Sequence, residues 1–193
     1  MLTFGLMAVI GAGIFLAVVV IVAVVVAIYN SLIVLKNQVK NAYAQIEVQL
    51  KRRHDLIPNL VETVKGYMEH ESQTLENVVK ARQIAMNMTP DAKMQAVSEN
   101  VLSGALKSLF AVAENYPDLK ANQNFLALQE ELVSTENKIA YARQFYNDAV
   151  MGYNTKKEMF PNNIIVSMFS FPEYSMFEID NKEEREVVKV SFN

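Results

Sequence analysis

From position 4 to position 28 this chain carries no polar side chain: apart from Gly5, Gly11 and Gly13 every residue is apolar, and no charged side chain appears before Lys36. A helix of these roughly 25 residues is about 37 Å long, enough to cross a hydrocarbon core of about 30 Å with some tilt. A core helix of a globular domain would show a polar stripe, and this run shows none. A cleaved signal peptide would want a basic n-region, a shorter apolar stretch and a small-residue cleavage site before a polar start. Here the basic n-region is missing and the apolar run is too long. Residues 1–28 therefore read as an uncleaved transmembrane anchor. The Ala8/Ala12 and Ala23/Ala27 spacings would let two such helices approach closely, although chance produces such spacing readily in a stretch so rich in alanine and valine.

Lys36 and Lys40 follow the span, with Lys51, Arg52 and Arg53 further on, whereas the N-terminal side offers only the amino group. By the positive-inside rule the domain beyond the anchor is expected in the cytoplasm.

Of the 193 residues, about one ordinary domain's worth remains beyond the anchor, enough to bury a core without disulfides or metal. The chain has no cysteine, which excludes a disulfide framework, thiolate zinc sites and thiol catalysis. Six glycines and five prolines are too few for a loop-rich or all-β fold. The net charge of −3 comes from 18 basic and 21 acidic residues with no long basic block, so no nucleic-acid partner is expected.

Beyond the anchor the apolar residues recur at helical steps. Leu32, Leu35, Val39, Ala42, Ile46 and Leu50 form one stripe close to a coiled-coil seam, continued by Ile57, Leu60, Val61, Val64 and Tyr67. No glycine or proline interrupts 29–57, so the membrane helix is expected to run straight into a helix ending near 66–70. Ser72, with Leu75, Val78 and Val79 behind it, opens a second helix to about Met88. Thr89, Pro90 and Asp91 supply a capping hydroxyl, a proline for the first helical position and an acid at the positive helix end. The third helix carries Val97, Val101, Leu102, Ala105, Leu109 and Ala113 and stops at Tyr116-Pro117. The fourth, over about 119–158, carries Phe125, Leu128, Leu132, Thr135, Ile139, Ala142, Tyr146, Ala149 and Tyr153 in alternating steps of four and three. Two long helices joined through two shorter ones suit an up-down-up-down bundle over residues 29–160. The fold class is thus all-α: a transmembrane helix continuous with a coiled-coil-like four-helix bundle, then an aromatic-containing tail over 161–193. In that tail Met168, Phe169, Phe171, Phe177 and the β-prone Val187, Val188, Lys189 and Val190 leave three options open: packing on the bundle, resting at the lipid interface, or pairing between subunits.

The most unusual stretch runs from Arg52 to Leu60. Pro58 inside a helical pattern removes the hydrogen bond to the carbonyl of His54 and favours a kink. Arg52, Arg53 and Asn59 are candidates to satisfy that freed acceptor. On the fourth helix Glu136, Asn137, Arg143 and Asn147 flank the apolar stripe, and Glu136 and Arg143 are one heptad apart. They are expected to face Arg53, Asp55 and Asn59 as an ionic layer, and such layers more often fix helix register than perform catalysis. His54 and His70 lack an i, i+4 histidine or Glu-x-x-His partner, so no metal site is signalled. No Ser-His-Asp arrangement, glycine-rich phosphate loop or paired-carboxylate motif stands out, and no cofactor is expected.

Several stretches together resemble the LemA family: Tyr29-Asn30, the run from Gln49 to Val61, Val64-Lys65-Gly66-Tyr67, Ala121-Asn122 with Phe125, Glu136-Asn137-Lys138-Ile139-Ala140, Arg143, Tyr146-Asn147, Tyr153-Asn154 and Phe160-Pro161. The resemblance covers about 29–177. It departs from the family's pattern at His54, where tyrosine is usual, and at Met68, where alanine is usual. It implies a bacterial-type membrane protein built as a long-helix bundle, in a family whose molecular function is poorly defined and whose members are not known as enzymes. Some relatives carry a lipid-attachment cysteine in place of a membrane helix, which implies an extracytoplasmic domain in those cases.

The function expected on these grounds is a non-enzymatic scaffold or adaptor of the bacterial envelope. It contacts membrane lipid, self-associates and presents its bundle to other membrane proteins. The alternatives are an accessory subunit of a membrane protease or other membrane enzyme, and a membrane-shaping protein.

Overall fold

The structure, a computed structural model, describes residues 2–87 and 91–178, with residues 2–9 described by their backbone alone. The elements are α1 (Leu2–Lys65), α2 (Ser72–Met86), α3 (Ala92–Ala113), α4 (Pro117–Lys120), α5 (Gln123–Glu158) and α6 (Asn162–Met168), and no strand occurs among the described residues. The all-α expectation holds. The β-prone positions 187–190 lie outside the described residues.

The membrane helix and the first bundle helix are one element, as the unbroken 29–57 stretch predicts: α1 runs for 64 residues and passes through Pro58. It is long and apolar enough to cross a membrane, and its side chains between Ile10 and Val26 are mostly exposed. Exposure of an all-apolar helix face is stable in lipid and not in water.

The described residues gather into two compact units. One comprises α1 up to Ala42 together with Asp148–Tyr174, and the other comprises Tyr43–Asn147 with the segment from Ser175. In the first, Leu32 and Val39 of α1 and Val150 and Tyr153 of α5 are fully buried, and Ile165 of α6 is nearly so.

The second unit holds the main core. Ile57, Leu60 and Val64 of α1 meet Leu75 and Val78 of α2, Leu102, Leu106 and Leu109 of α3, Leu119 of α4, and Phe125 and Leu132 of α5. Cross-helix pairs set the directions. Tyr43 with Gln95 and Arg53 with Ser103 rise together, so α3 runs parallel to this part of α1. The Tyr43–Tyr146 ring contact and the Arg53–Glu136 pair run in opposite order, so α5 is antiparallel to it. With α2 returning from the turn after Lys65 so that Arg82 reaches His54, the unit is an up-down-up-down bundle.

Several details depart from the sequence pattern. On α3, Val97 and Val101 are exposed, and the buried row is instead Ala96, Glu99, Leu102, Leu106, Leu109 and Ala113. Alanine lets the helices approach more closely than valine does, so the row with small residues faces inward. Val79 on α2 and Tyr67 near the end of the first stripe are likewise exposed. The cap of α3 is Asp91, whose side chain accepts from the backbone N–H groups of Lys93 (2.9 Å) and Met94 (3.0 Å). Thr89 and Pro90, the sequence candidates for that role, lie outside the described residues, as does Met88.

The fourth long helix starts later than its pattern suggests, at Gln123. The single turn α4 precedes it, with Pro117 in its first turn, and Asn122 then caps α5 by accepting from Asn124 N (2.9 Å) and Phe125 N (3.1 Å).

Candidate functional site: a buried charged layer

Three ionisable side chains lie in the core of the second unit. Arg53 is 3% exposed, His54 6% and Glu99 3%. Consecutive positions on α1 point about 100° apart, so Arg53 and His54 reach the same α3 carboxylate from two sides. Arg53 Nη1 lies 3.4 Å from Glu99 Oε2, and His54 Nε2 lies 2.8 Å from Glu99 Oε1. The same guanidinium donates through Nη2 to Ser103 Oγ at 2.7 Å and pairs with Glu136 Oε2 at 2.9 Å. Ser103 Oγ in turn donates to Glu136 Oε1 at 3.3 Å. One arginine thus binds α1 to both α3 and α5.

Pro58 leaves its mark one turn back. The His54 carbonyl that has lost its helical donor accepts from Arg82 Nε of α2 at 2.7 Å. The residues expected to fill that role, Arg52, Arg53 and Asn59, do not. Arg52 turns outward to an ion pair with Glu131, Arg53 is committed to its carboxylates, and the exposed Asn59 is met only through its backbone oxygen, by Thr63 Oγ1. The freed carbonyl faces α2, and the long Arg82 side chain spans the gap from that helix.

The residues singled out in the sequence therefore separate. Arg53 and Glu136 meet as expected. Asp55, Asn59 and Asn137 stay on the surface and do not join the layer: two and six positions from Arg53 a side chain points about 160° and about 120° away from it, and Asn137 points about 100° away from Glu136, toward solvent. Arg143 and Asn147 instead hold the chain beyond α6.

Phe177, 2% exposed, lies under Arg143 with its ring 4.8 Å from the guanidinium carbon. Asn147 accepts from Phe177 N at 2.7 Å and donates to Phe177 O at 3.4 Å, satisfying the backbone as a strand neighbour would. Tyr146 Oη adds a bond to Ser175 O at 2.9 Å. Burial pulls the Arg143 guanidinium below its ordinary value, opposed by the nearby Glu136 and Glu99. Beside this segment, where the Tyr43 ring meets Tyr146, burial, then the charges of Glu47 and Asp91, push the Tyr43 hydroxyl upward.

Glu99, Arg82, Ser103 and the pairing of His54 are the parts that sequence reasoning missed. Glu99 did carry a signal: it is a carboxylate in the row that otherwise reads Ala92, Ala96, Leu102, Leu106, Leu109. Arg82 carried none.

Chemically, Arg53, His54 and Glu99 satisfy one another's polar groups out of solvent, and the half-exposed Glu136 closes the layer at the surface. Its three core members are enclosed, and through Arg53 their contacts join α1 to α3 and α5. Among the described residues no group of three His, Asp or Glu is placed to hold a metal ion.

The comparisons with known proteins agree with this architecture. The LemA family model matches residues 42–192. Protein LemA of Metamycoplasma hominis is 25% identical over 164 residues, covering 81% of this chain and 75% of that protein. Magnetosome proteins MamQ 1 and MamQ 2 of Paramagnetospirillum magneticum are each 23% identical over 188 residues, covering 84% of this chain and 69% of theirs.

Proposed function

The chain belongs to the LemA family, and from that premise we propose that this membrane-anchored helical protein is a non-enzymatic scaffold that self-associates and presents its bundle to other envelope proteins. The observation that carries the reading is an outward apolar face on the second unit. Val48 of α1 and Tyr141 and Phe145 of α5 stand exposed around a shallow groove also lined by Gln45, Gln49, Lys138 and Ala142, with Tyr141 74% exposed. Large apolar and aromatic side chains grouped on a surface are the usual composition of a protein interface core. The buried charged layer supports the same reading, because it makes the bundle a stiff platform.

The absence of cysteine makes the test clean. Single cysteines at Tyr141 and Phe145, oxidised in native membranes, are expected to give disulfide-linked dimers of the full-length protein, while one at the exposed Lys107 of α3, away from the groove, is not. Monomer at every position, under oxidation and with amine crosslinkers alike, removes self-association. A stable complex with a different membrane protein and no homo-oligomer favours the accessory-subunit reading instead.

A further inference from the structure

We propose that the hairpin formed by the end of α5 and α6 is a second membrane contact, seated in the interfacial region of the leaflet from which α1 emerges. Its position follows from contacts within the first unit. The apolar span ends at Ile28, and Tyr29 marks the boundary where tyrosine rings settle at the headgroup level. The α5 helix runs antiparallel to α1 here, and its last turn reaches the start of the post-membrane segment: Ser31 and Met159 line the same groove. Ser31 stands two positions beyond Tyr29, an axial distance of about 3 Å.

The chain then turns back onto the span. The Tyr29 ring meets Phe169 at 5.1 Å and Phe171 at 5.8 Å, both edge-on. Tyr153 Oη donates to Pro172 O at 2.9 Å, and Asn162 Nδ2 donates to Lys156 O at 2.8 Å. Asn162 and Ile165 are the inward face of α6, both 5% exposed.

The opposite face is uncovered and carries exposed apolar side chains beside Asn163 and Ser167, whose hydroxyl is turned back onto Ile164 O at 2.7 Å. Ile164 and Met168, 49% and 69% exposed, stand one turn apart on α6, and Phe160, 80% exposed, stands in the turn that precedes it. Met159 and Phe169 extend the patch. No charged side chain occurs between Glu158 and Glu173, a stretch that would be a poor choice for a water-facing loop and suits the headgroup–acyl boundary. Two lysines lie just before it: the Lys157 ammonium donates to Pro172 O at 3.3 Å and ties the hairpin together, and the neighbouring Lys156 is placed where a long stem can carry its charge to the headgroups. The anchor places a bilayer beside this patch, and that identifies its occupant as lipid.

The chain contains no tryptophan, so one introduced at a time reports without background. Full-length Phe160→Trp and Met168→Trp proteins are reconstituted into phosphatidylcholine–phosphatidylglycerol vesicles, with and without bromine on the acyl chains near the headgroup. Both sites are exposed, so the substitutions disturb no packing, and far-UV ellipticity verifies the helices.

The expected result at both positions is blue-shifted emission, several-fold quenching by the brominated lipid, and protection from iodide. Red-shifted emission open to iodide overturns the proposal, because the patch then faces water. Blue-shifted emission indifferent to bromine overturns it as well, because protein then covers the patch. Neither readout depends on whether the protein self-associates through Tyr141 and Phe145.

Discussion

Replacing Arg53 by methionine is the sharpest test of the buried layer. The side chain volumes are comparable, so the substitution removes charge with little cavity. It leaves the Glu99 carboxylate 3% exposed with His54 Nε2 as its remaining close partner. Breaking a buried ion pair from one side costs about 3–5 kcal/mol, because the partner's desolvation is no longer offset. For a chain of this size that is a fall of roughly 6–20 °C in Tm, taking about 2–4 °C per kcal/mol. Glu99→Leu should cost less, because Arg53 keeps Glu136 at 2.9 Å and that carboxylate is half-exposed. The double variant Arg53→Met, Glu99→Leu removes both charges for apolar groups and should recover most of the loss. Thermal unfolding of full-length protein in mild detergent, followed by far-UV ellipticity, gives all three values. The ordering is the test. A single Arg53→Met variant within about 1 kcal/mol of the parent would mean the layer is hydrated, and a double variant worse than either single would mean the pair is net stabilising.

The remaining expectations use the same assay. Arg82→Leu orphans the His54 carbonyl and should cost about 1–3 kcal/mol; adding Pro58→Ala supplies the missing backbone N–H and should shrink that cost, so equal losses in both backgrounds would refute the account of Pro58. Asp91→Ala and Asn122→Ala, each removing a helix cap, should cost about 0.5–2 kcal/mol apiece and add independently. Burial, then the charge of Tyr174, pushes the Tyr153 hydroxyl from its ordinary value of 10.0 up to about 12. The unfolded chain therefore loses this proton first, so stability is undiminished below pH 10 and falls as pH rises from 10 to about 12; a Tyr153→Phe variant should lose part of that alkaline slope, and an unchanged slope would sink the assignment.

Helix existence was legible along nearly the whole chain because hydrophobic periodicity is a local property. The stripe on α5 is a case in point: Phe125, Leu132, Thr135, Ile139, Tyr146 and Tyr153 are all buried where their spacing puts them. Boundaries were less legible. Asn122 looks like any surface asparagine until the backbone N–H groups of Asn124 and Phe125 are seen to point at it. On α3 two adjacent rows were apolar, and periodicity alone had no means of choosing the row with alanines over the row with Val97 and Val101.

The charged layer shows the same limit more sharply. Arg53 and Glu136 were identifiable as a pair from their places beside two apolar stripes. Their company was not: Glu99 and Arg82 come from helices with their own rotational freedom in sequence space, and only the packed bundle fixes which face each turns inward. Arg143 and Asn147, equally polar and equally close to the stripe, engage Phe177 instead, the guanidinium over its ring and the amide on its backbone. The anchor itself was determined by sequence alone, because a bilayer reads only the length and polarity of a segment, and 4–28 meets both conditions without help from the rest of the chain. That Tyr29 at its end carries Phe169 and Phe171 was decided by tertiary structure, since a contact between rings 140 residues apart depends on the lengths and turns of every element between them.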